Sequence, residues 1–267
     1  MIKIAVNGAL GRMGSRILNL AYKSQDFKIA AAFEYEKNEF IGKDLGAALG
    51  LSEVLKVKLS KLSPAALKGC DVLIDFSSPE AASESIKAAL KAKTALVIGT
   101  TGLGPQIEAE IKEASKKIAI LYSPNMSIGA NFLFELARIA SAKLKAGYDI
   151  EIVEAHHRLK KDAPSGTAKK IAEIIAKEKG WDLKKVAKFG RQGFTGERSK
   201  DELGIHVIRA GDIVGDHTVL FSGPGETIEL SHRAQSRDAF ARGALVAALF
   251  VSDKKVGFYA MSDVLKA

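Results

Sequence analysis

The apolar run Ile2–Val6 passes through Asn7 into Gly8-Ala9-Leu10-Gly11-Arg12-Met13-Gly14, and no other junction constrains the fold as strongly. A buried strand meets a glycine-rich turn, after which Met13, Ile17, Leu20 and Ala21 recur at helical spacing. Glycine suits such a turn because the backbone must bend tightly and approach a pyrophosphate closely, with the first N–H groups of the helix facing the anion. The pattern is G-x-x-G-x-x-G rather than the commoner G-x-G-x-x-G, so alone it is weak. Its context strengthens it: Glu34 ends the next strand, Phe27–Phe33, 20 residues beyond Gly14. A carboxylate there can accept hydrogen bonds from adenosine ribose hydroxyls and would repel a 2′-phosphate, by roughly 4 kcal/mol at 4 Å and an effective dielectric near 20. NADH is the expected cofactor; Lys37 and Arg12 could offset part of the repulsion, which leaves NADPH as the second choice.

The alternation continues. Asp71–Phe76, Thr94–Ile98 and Lys117–Tyr122 read as strands, and Pro79 and Pro105 open helices, proline being favoured in the first turn. Alternating strands and helices with short connections predict a parallel sheet covered on both faces. Polar or glycine-rich segments follow three of the strands: Phe76–Pro79, Gly99-Thr100-Thr101-Gly102 and Ser123-Pro124-Asn125-Met126. In open α/β sheets ligands bind at that end of the strands.

Beyond Met126 the pattern changes. A helix over Ile128–Leu144, a strand over Tyr148–Glu154 and a helix over Thr167–Lys179 are expected, then a long loop from Trp181 to Leu203. Three strands in series follow, Ile205–Arg209, His217–Phe221 and Thr227–Ser231, the last two joined at Gly223-Pro224-Gly225. This implies an antiparallel or mixed second sheet. The final helix, about Asp238–Val251, is apolar enough to pack back on the first domain. The expected division is residues 1–126 with 237–267 as the dinucleotide-binding domain and 127–236 as a smaller substrate-binding domain.

The 267 residues are 47% hydrophobic and 27% charged, enough to bury a sizeable core and unlike a disordered or collagenous chain. One cysteine, Cys70, an N-terminus that reaches its glycine turn at Gly8, and no apolar run of ~20 residues lead to the expectation of a cytoplasmic protein without a membrane partner. The formal charge is +9, and residues 155–200 hold 13 basic against five acidic side chains. Nucleic-acid binders interleave aromatics with such cations; here Trp181, Phe189 and Phe194 are scattered, so no nucleic-acid partner is expected. A small polyanionic substrate remains.

The chemistry concentrates in Glu151–Ala168, EIVEAHHRLKKDAPSGTA. His156 and His157 follow a strand, Arg158, Lys160 and Lys161 add cations, and Pro164-Ser165-Gly166-Thr167 opens a helix whose free N–H groups favour a carboxylate. These groups suit an anionic substrate that receives a hydride and then a proton. Zinc is not expected, because His206, His217 and His232 sit on separate strands; Ser165 reads as a helix cap.

This segment resembles the signature of the dihydrodipicolinate reductases of lysine and diaminopimelate biosynthesis. The similarity extends over the chain through Gly8–Gly14, Gly99-Thr100-Thr101, Arg209-Ala210-Gly211-Asp212-Ile213-Val214-Gly215 and Ser236-Arg237. The resemblance implies an α/β fold, a Rossmann-type parallel-sheet domain plus a smaller α/β substrate domain with a mixed sheet, assembled as a homotetramer. It implies that His156 is the catalytic proton donor or acceptor and Lys160 its companion, with His157, Gly166 and Thr167 on the substrate's carboxylates. Gly8, Ala9, Leu10, Gly11, Arg12, Met13, Glu34, Gly99, Thr100, Thr101, Ser123, Pro124, Asn125 and Met126 would line the cofactor cleft. Many members place Arg directly after the acid ending the second strand; Tyr35 stands there here, which again favours NADH. A different dehydrogenase of the same plan and a dinucleotide-sensing regulator are the competing readings.

Overall fold

The computed structural model describes residues 1–144 and 147–267. They form two compact units, residues 1–128 with 237–267, and residues 129–236. The first unit begins β1 (Ile2–Asn7), α1 (Gly14–Tyr22), β2 (Phe27–Phe33), α2 (Leu45–Ala48), β3 (Leu59–Ser60), β4 (Val72–Asp75), α3 (Pro79–Ala92), β5 (Ala95–Ile98), α4 (Pro105–Ser115) and β6 (Ala119–Tyr122). Cover on both faces of the sheet explains why its strands are mostly apolar. Ile4, Val6, Val72, Ile74, Val97 and Leu121 pack to one side with Ile17, Leu18 and Ala21 of α1. Ala5, Leu73, Leu96, Ile98 and Ile120 pack to the other, against α3 and α4. Helix α3 starts where the Ser78 hydroxyl accepts the Ala81 N–H at 3.3 Å, with Pro79 in the first turn.

The second unit holds α5 from residue 129 on (Ile128–Lys143 in full), β7 (Asp149–His156), α6 (Gly166–Lys179), α7 (Leu183–Val186), β8 (Ala187–Phe189), β9 (Leu203–Arg209), β10 (Asp216–Gly223) and β11 (Glu226–Arg233). Its sheet is mixed, in the order β11-β10-β7-β9-β8. Strand β9 runs parallel to β7 and β8, while β10 is antiparallel to β7 and β11. Ile150, Ile152, Leu203, Ile205, Val219 and Phe221 form the core with α5 and α6.

The second sheet is mixed, as expected, with β7 lying between β9 and β10; the β7–β9 pair is parallel and therefore needs a long crossover, which α6 and the following segment supply. One expectation changes here. The expected loop from Trp181 to Leu203 contains α7 and β8. Ala187-Lys188-Phe189 is too short to show a period and is held by its ladder to β9. The β10–β11 turn follows expectation, with Pro224 and Gly225 at its tip and Gly225 at φ 81°.

The chain then re-enters the first unit as α8 (Asp238–Ser252), β12 (Gly257–Tyr259) and α9 (Met261–Val264). Strand β12 pairs with β6 and completes a parallel sheet of order β12-β6-β5-β4-β1-β2-β3. Ala241, Ala244, Ala248 and Val251 of α8 join the core on the α1 side. Gly243 lets α8 rest on the chain itself: a Cβ there would lie 1.7 Å from the Met126 carbonyl oxygen.

Candidate active site

In the first unit the β1–α1 turn is built around close backbone approach. Gly8 has φ 74°, and a Cβ on it would meet the Phe76 carbonyl oxygen at 2.5 Å; one on Gly14 would meet the Gly8 oxygen at 2.0 Å. The Ala9 N–H donates to the Phe33 oxygen at 3.0 Å, and the Leu10 N–H donates to Glu34 Oε2 at 2.9 Å. Glu34 is therefore fixed to the turn by its own carboxylate. Beside it lies a cavity of about 460 Å³ lined by Gly8, Gly11, Glu34, Tyr35, Lys61 and Ser77, among others. Glycine backbone next to an acid at the end of β2 fits the pyrophosphate and ribose of a dinucleotide.

Asp75 ties the neighbouring turns together. Its fully buried carboxylate accepts hydrogen bonds from Asn7 Nδ2 at 2.9 Å and from the hydroxyls of Ser85 and Thr100, each at 2.5 Å. Ser77 also donates its hydroxyl, at 2.9 Å. Gly99 is pressed by the Phe76 ring, whose Cζ would lie 2.1 Å from an added Cβ. In the last turn the Ser123 hydroxyl donates to the Asn125 oxygen at 2.7 Å, and the Ser127 N–H to Asn125 Oδ1 at 2.9 Å.

In the second unit the chemistry grows out of the core face of β7. Ile150, Ile152, Glu154 and His156 are alternate residues and share that face; Ile150 and Ile152 are packed in the core, and Glu154 and His156 continue the row. Glu154 is fully buried and accepts four hydrogen bonds. They come from His156 Nδ1 at 2.6 Å, Arg209 Nη1 and Nη2 at 2.8 and 2.9 Å, and the Ser165 N–H at 2.9 Å. Burial raises the Glu154 carboxyl's pKa, but Arg209, His156 and Ser165 outweigh it, and the carboxyl titrates below its ordinary range. Burial moves His156 the other way, below the usual imidazole range, with the Glu154 hydrogen bond opposing and the charges of Lys160 and Arg209 reinforcing.

His217 lies directly across from Glu154 in the β7–β10 register. Its Nε2 is 2.9 Å from the Ser165 hydroxyl oxygen, and its ring meets His156 edge-on at 5.2 Å between centroids. Burial, then the charge of His156, holds His217 down at about 3, so it is neutral at working pH. Ser165 is the cap expected from sequence, accepting the Ala168 N–H at 3.2 Å, and the first turn of α6 is thereby pinned to Glu154 and His217. Lys160 reaches Asp162 Oδ1 at 2.8 Å.

The structure thus brings His156, Lys160 and the Ser165 cap before Gly166 and Thr167 into one neighbourhood; His157 is half-buried beside them. Of the expected cofactor residues, Gly8, Gly11 and Glu34 line the cavity. Ala9, Leu10, Arg12, Met13, Gly99–Thr101 and Ser123–Met126 are not among its lining, and neither is Lys37, whose place as the nearby cation is taken by Lys61. Residues not singled out from sequence are Asp75, Lys61 and Glu154; Glu154 was detectable as the residue two before His156 on one strand face. The basic stretch is partly neutralised: Arg191 and Arg198 bond Glu151 at 2.7 and 3.0 Å. Burial raises Glu151, yet Arg191, His206 and Arg198 hold it at about 2. Among the described residues no group of three or more His, Cys, Asp or Glu is placed to hold a metal ion, and no helix is long and apolar enough to cross a membrane.

Family models described as "Dihydrodipicolinate reductase, N-terminus" and "Dihydrodipicolinate reductase, C-terminus" match residues 2–126 and 129–265. The chain belongs to the dihydrodipicolinate reductase family. The 4-hydroxy-tetrahydrodipicolinate reductase of Nitrosomonas eutropha is 46% identical over 265 residues, covering 99% of this chain and 98% of its own. That of Methanocaldococcus jannaschii is 46% identical over 276 residues, covering 99% and 97%. Among solved structures, a dipicolinate-bound dihydrodipicolinate reductase from Paenisporosarcina superposes with a TM-score of 0.76 at 25% identity, over 98% of this chain and 99% of that one. Pyridine-nucleotide use goes with membership of this reductase family and with the parallel-sheet fold.

Proposed function

We propose that this chain reduces 4-hydroxy-tetrahydrodipicolinate to tetrahydrodipicolinate on the diaminopimelate route to lysine, with residues 127–236 binding substrate and the remainder binding the dinucleotide. The observation that carries the reading is the Arg209–Glu154–His156 chain, built on a fully buried carboxylate, at the head of α6. A small dicarboxylate is the ligand such a site suits, and dipicolinate is the molecule bound in the Paenisporosarcina relative. The reduced nicotinamide supplies the hydride when bound. Gly166 and Thr167 open α6 and present its positive end to a carboxylate, and His157 and Lys160 add donors. His156 and Lys160 are the groups that handle the proton as charge develops on the substrate.

NADH is the preferred reductant in this reading, with NADPH second. The cavity lining carries Glu34, Glu36 and Glu84 against Lys61, and Lys61 Nζ is already paired with Glu36 at 2.6 Å. The enzyme would act in the cytoplasm as a homotetramer; exposed Val207, Ile208 and Ile228 on the second sheet support association.

The test is a coupled assay in which the synthase makes substrate from pyruvate and aspartate semialdehyde, and loss of NADH or NADPH is followed. Substrate-dependent oxidation that falls at least 100-fold in Lys160→Ala, with NADH affinity retained, supports the assignment. A folded, NADH-binding protein that oxidises nothing overturns it.

A further inference from the structure

The segment Arg209–Gly215 touches His156 at both ends, and apart from the Arg209–Glu154 pairing the proposed reaction gives it no part. Arg209 pairs with His156 in the parallel β7–β9 register. Its guanidinium grips both oxygens of Glu154, at 2.8 and 2.9 Å, and donates to the Asp162 carbonyl oxygen at 2.7 Å. The Glu154 carboxylate, so held, faces His156 Nδ1 at 2.6 Å. Two backbone bonds lay the segment along the histidine loop: Ala210 N–H to the His156 oxygen at 3.0 Å, and Arg158 N–H to the Gly211 oxygen at 3.1 Å. At the far end a Cβ on Gly215 would come within 3.0 Å of His156 Nε2 and 3.4 Å of Cδ2.

We infer that residues 209–215 are a positioning frame for His156: Arg209, through Glu154, fixes the proton on Nδ1, and Gly215, by lacking a side chain, keeps Nε2 open as the proton-handling atom. Three facts carry this beyond packing. While ionised, Glu154 has no proton to donate and can only accept, so Nδ1 must be the donor, and the bidentate Arg209 fork keeps the carboxylate ionised in a fully buried place. The imidazole has two nitrogens, and a carboxylate on one dictates the tautomer presented by the other. The same guanidinium that orients Glu154 also fastens Asp162, whose carboxylate holds Lys160, so both proton-handling candidates hang on one cation. The groups facing His156 are Glu154 on its own strand, Arg209 on β9, His217 on β10 and Lys160 on the following loop.

The inference rests on His156 being the proton-handling residue, and its test separates the two. Ring ¹⁵N spectra of histidine-labelled protein, with the His156 signals assigned from His156→Gln, read the tautomer without turnover. The expected wild-type state is Nδ1–H with an unprotonated Nε2, changed to a mixed or reversed tautomer in Glu154→Gln. Arg209→Lys keeps a cation without the fork, and Gly215→Ala adds the single methyl. In steady-state kinetics each is expected to lower kcat about 10- to 100-fold with little change in KM for NADH. Glu154→Gln should also move the His156 limb of the pH profile to lower pH, because the carboxylate that favours the imidazolium is gone. An unchanged tautomer in folded Glu154→Gln, or unchanged kcat in Arg209→Lys and Gly215→Ala, overturns the frame. A wild-type protein that shows the Nδ1–H tautomer but reduces no substrate removes the reaction and leaves the frame standing.

Discussion

Glu154 and His217 face each other across the β7–β10 pair, one an ionised carboxylate and the other a neutral ring, both almost without solvent contact. The Ser165 cap joins them, its N–H on Glu154 and its hydroxyl oxygen beside His217 Nε2. The helix that presents Gly166 and Thr167 is therefore seated on two groups that both resist taking up a proton, one by staying a carboxylate and the other by staying a neutral ring.

Acid should loosen this unit in a defined window. Unfolded His217 takes up a proton below the ordinary imidazole value of 6.5, whereas the folded ring does so only near 3. The unfolded state binds more protons in between, so stability falls with falling pH from about 6.5 to 3, at up to about 1.4 kcal/mol per pH unit. Glu151 adds a second loss between the ordinary carboxyl value of 4.5 and about 2. Urea unfolding at pH 7.5, 5.5 and 4.5 should show this slope, and His217→Asn should flatten it while starting from lower stability at pH 7.5.

The dinucleotide turn should not tolerate a methyl group. Gly14→Ala places Cβ 2.0 Å from the Gly8 oxygen, and the strained turn should cost about 1–3 kcal/mol of stability and most of the NADH affinity. Gly104→Ala, where a Cβ meets nothing, is the control; it should leave NADH affinity unchanged in a fluorescence titration and cost no more than the ~1 kcal/mol of a weakened α4 N-cap in a thermal melt.

Cofactor choice should follow charge at the cavity mouth. Tyr35 is 64% exposed and lines the cavity beside Glu34. Tyr35→Arg should raise the NADPH-to-NADH ratio of kcat/KM by at least about tenfold, or ~1.4 kcal/mol. Lys61→Ala should lower NADPH efficiency more than NADH efficiency. An unchanged ratio in both variants would place 2′-phosphate discrimination elsewhere.

Helix α8 should be sensitive at one position. Gly243→Ala drives a methyl into the Met126 carbonyl oxygen, and the shift required should cost about 1–3 kcal/mol. Differential scanning calorimetry would read this as a lower Tm with no change in the second unit's chemistry.

The longer strands of the first sheet were legible because alternate residues of Ile2–Asn7, Val72–Asp75 and Ala95–Ile98 are buried on two faces, which leaves few polar positions. Strands β3, β8 and β12 were not, because two or three residues carry no period and exist only beside a longer partner. The histidine-lysine segment was legible as chemistry. The hold on His156 was not, since Arg209 and Gly215 lie more than 50 residues along the chain and meet it only through sheet register. Lys61 carries no sequence signal for the same reason as β3, the two-residue strand directly before it.

The row Ile150, Ile152, Glu154, His156 has a consequence for how this protein can vary. Side chains alternate strictly along a strand, so gaining or losing one residue between Ile150 and Glu154 would exchange the two faces. His156 would then point where Glu151 now meets Arg191 and Arg198, and the ion-pair side of the sheet would be pushed into the hydrophobic interior. Strand β7 is accordingly free to exchange one aliphatic residue for another but not to change its length, and the distance in sequence from core to histidine is an even number that no drift can alter by one.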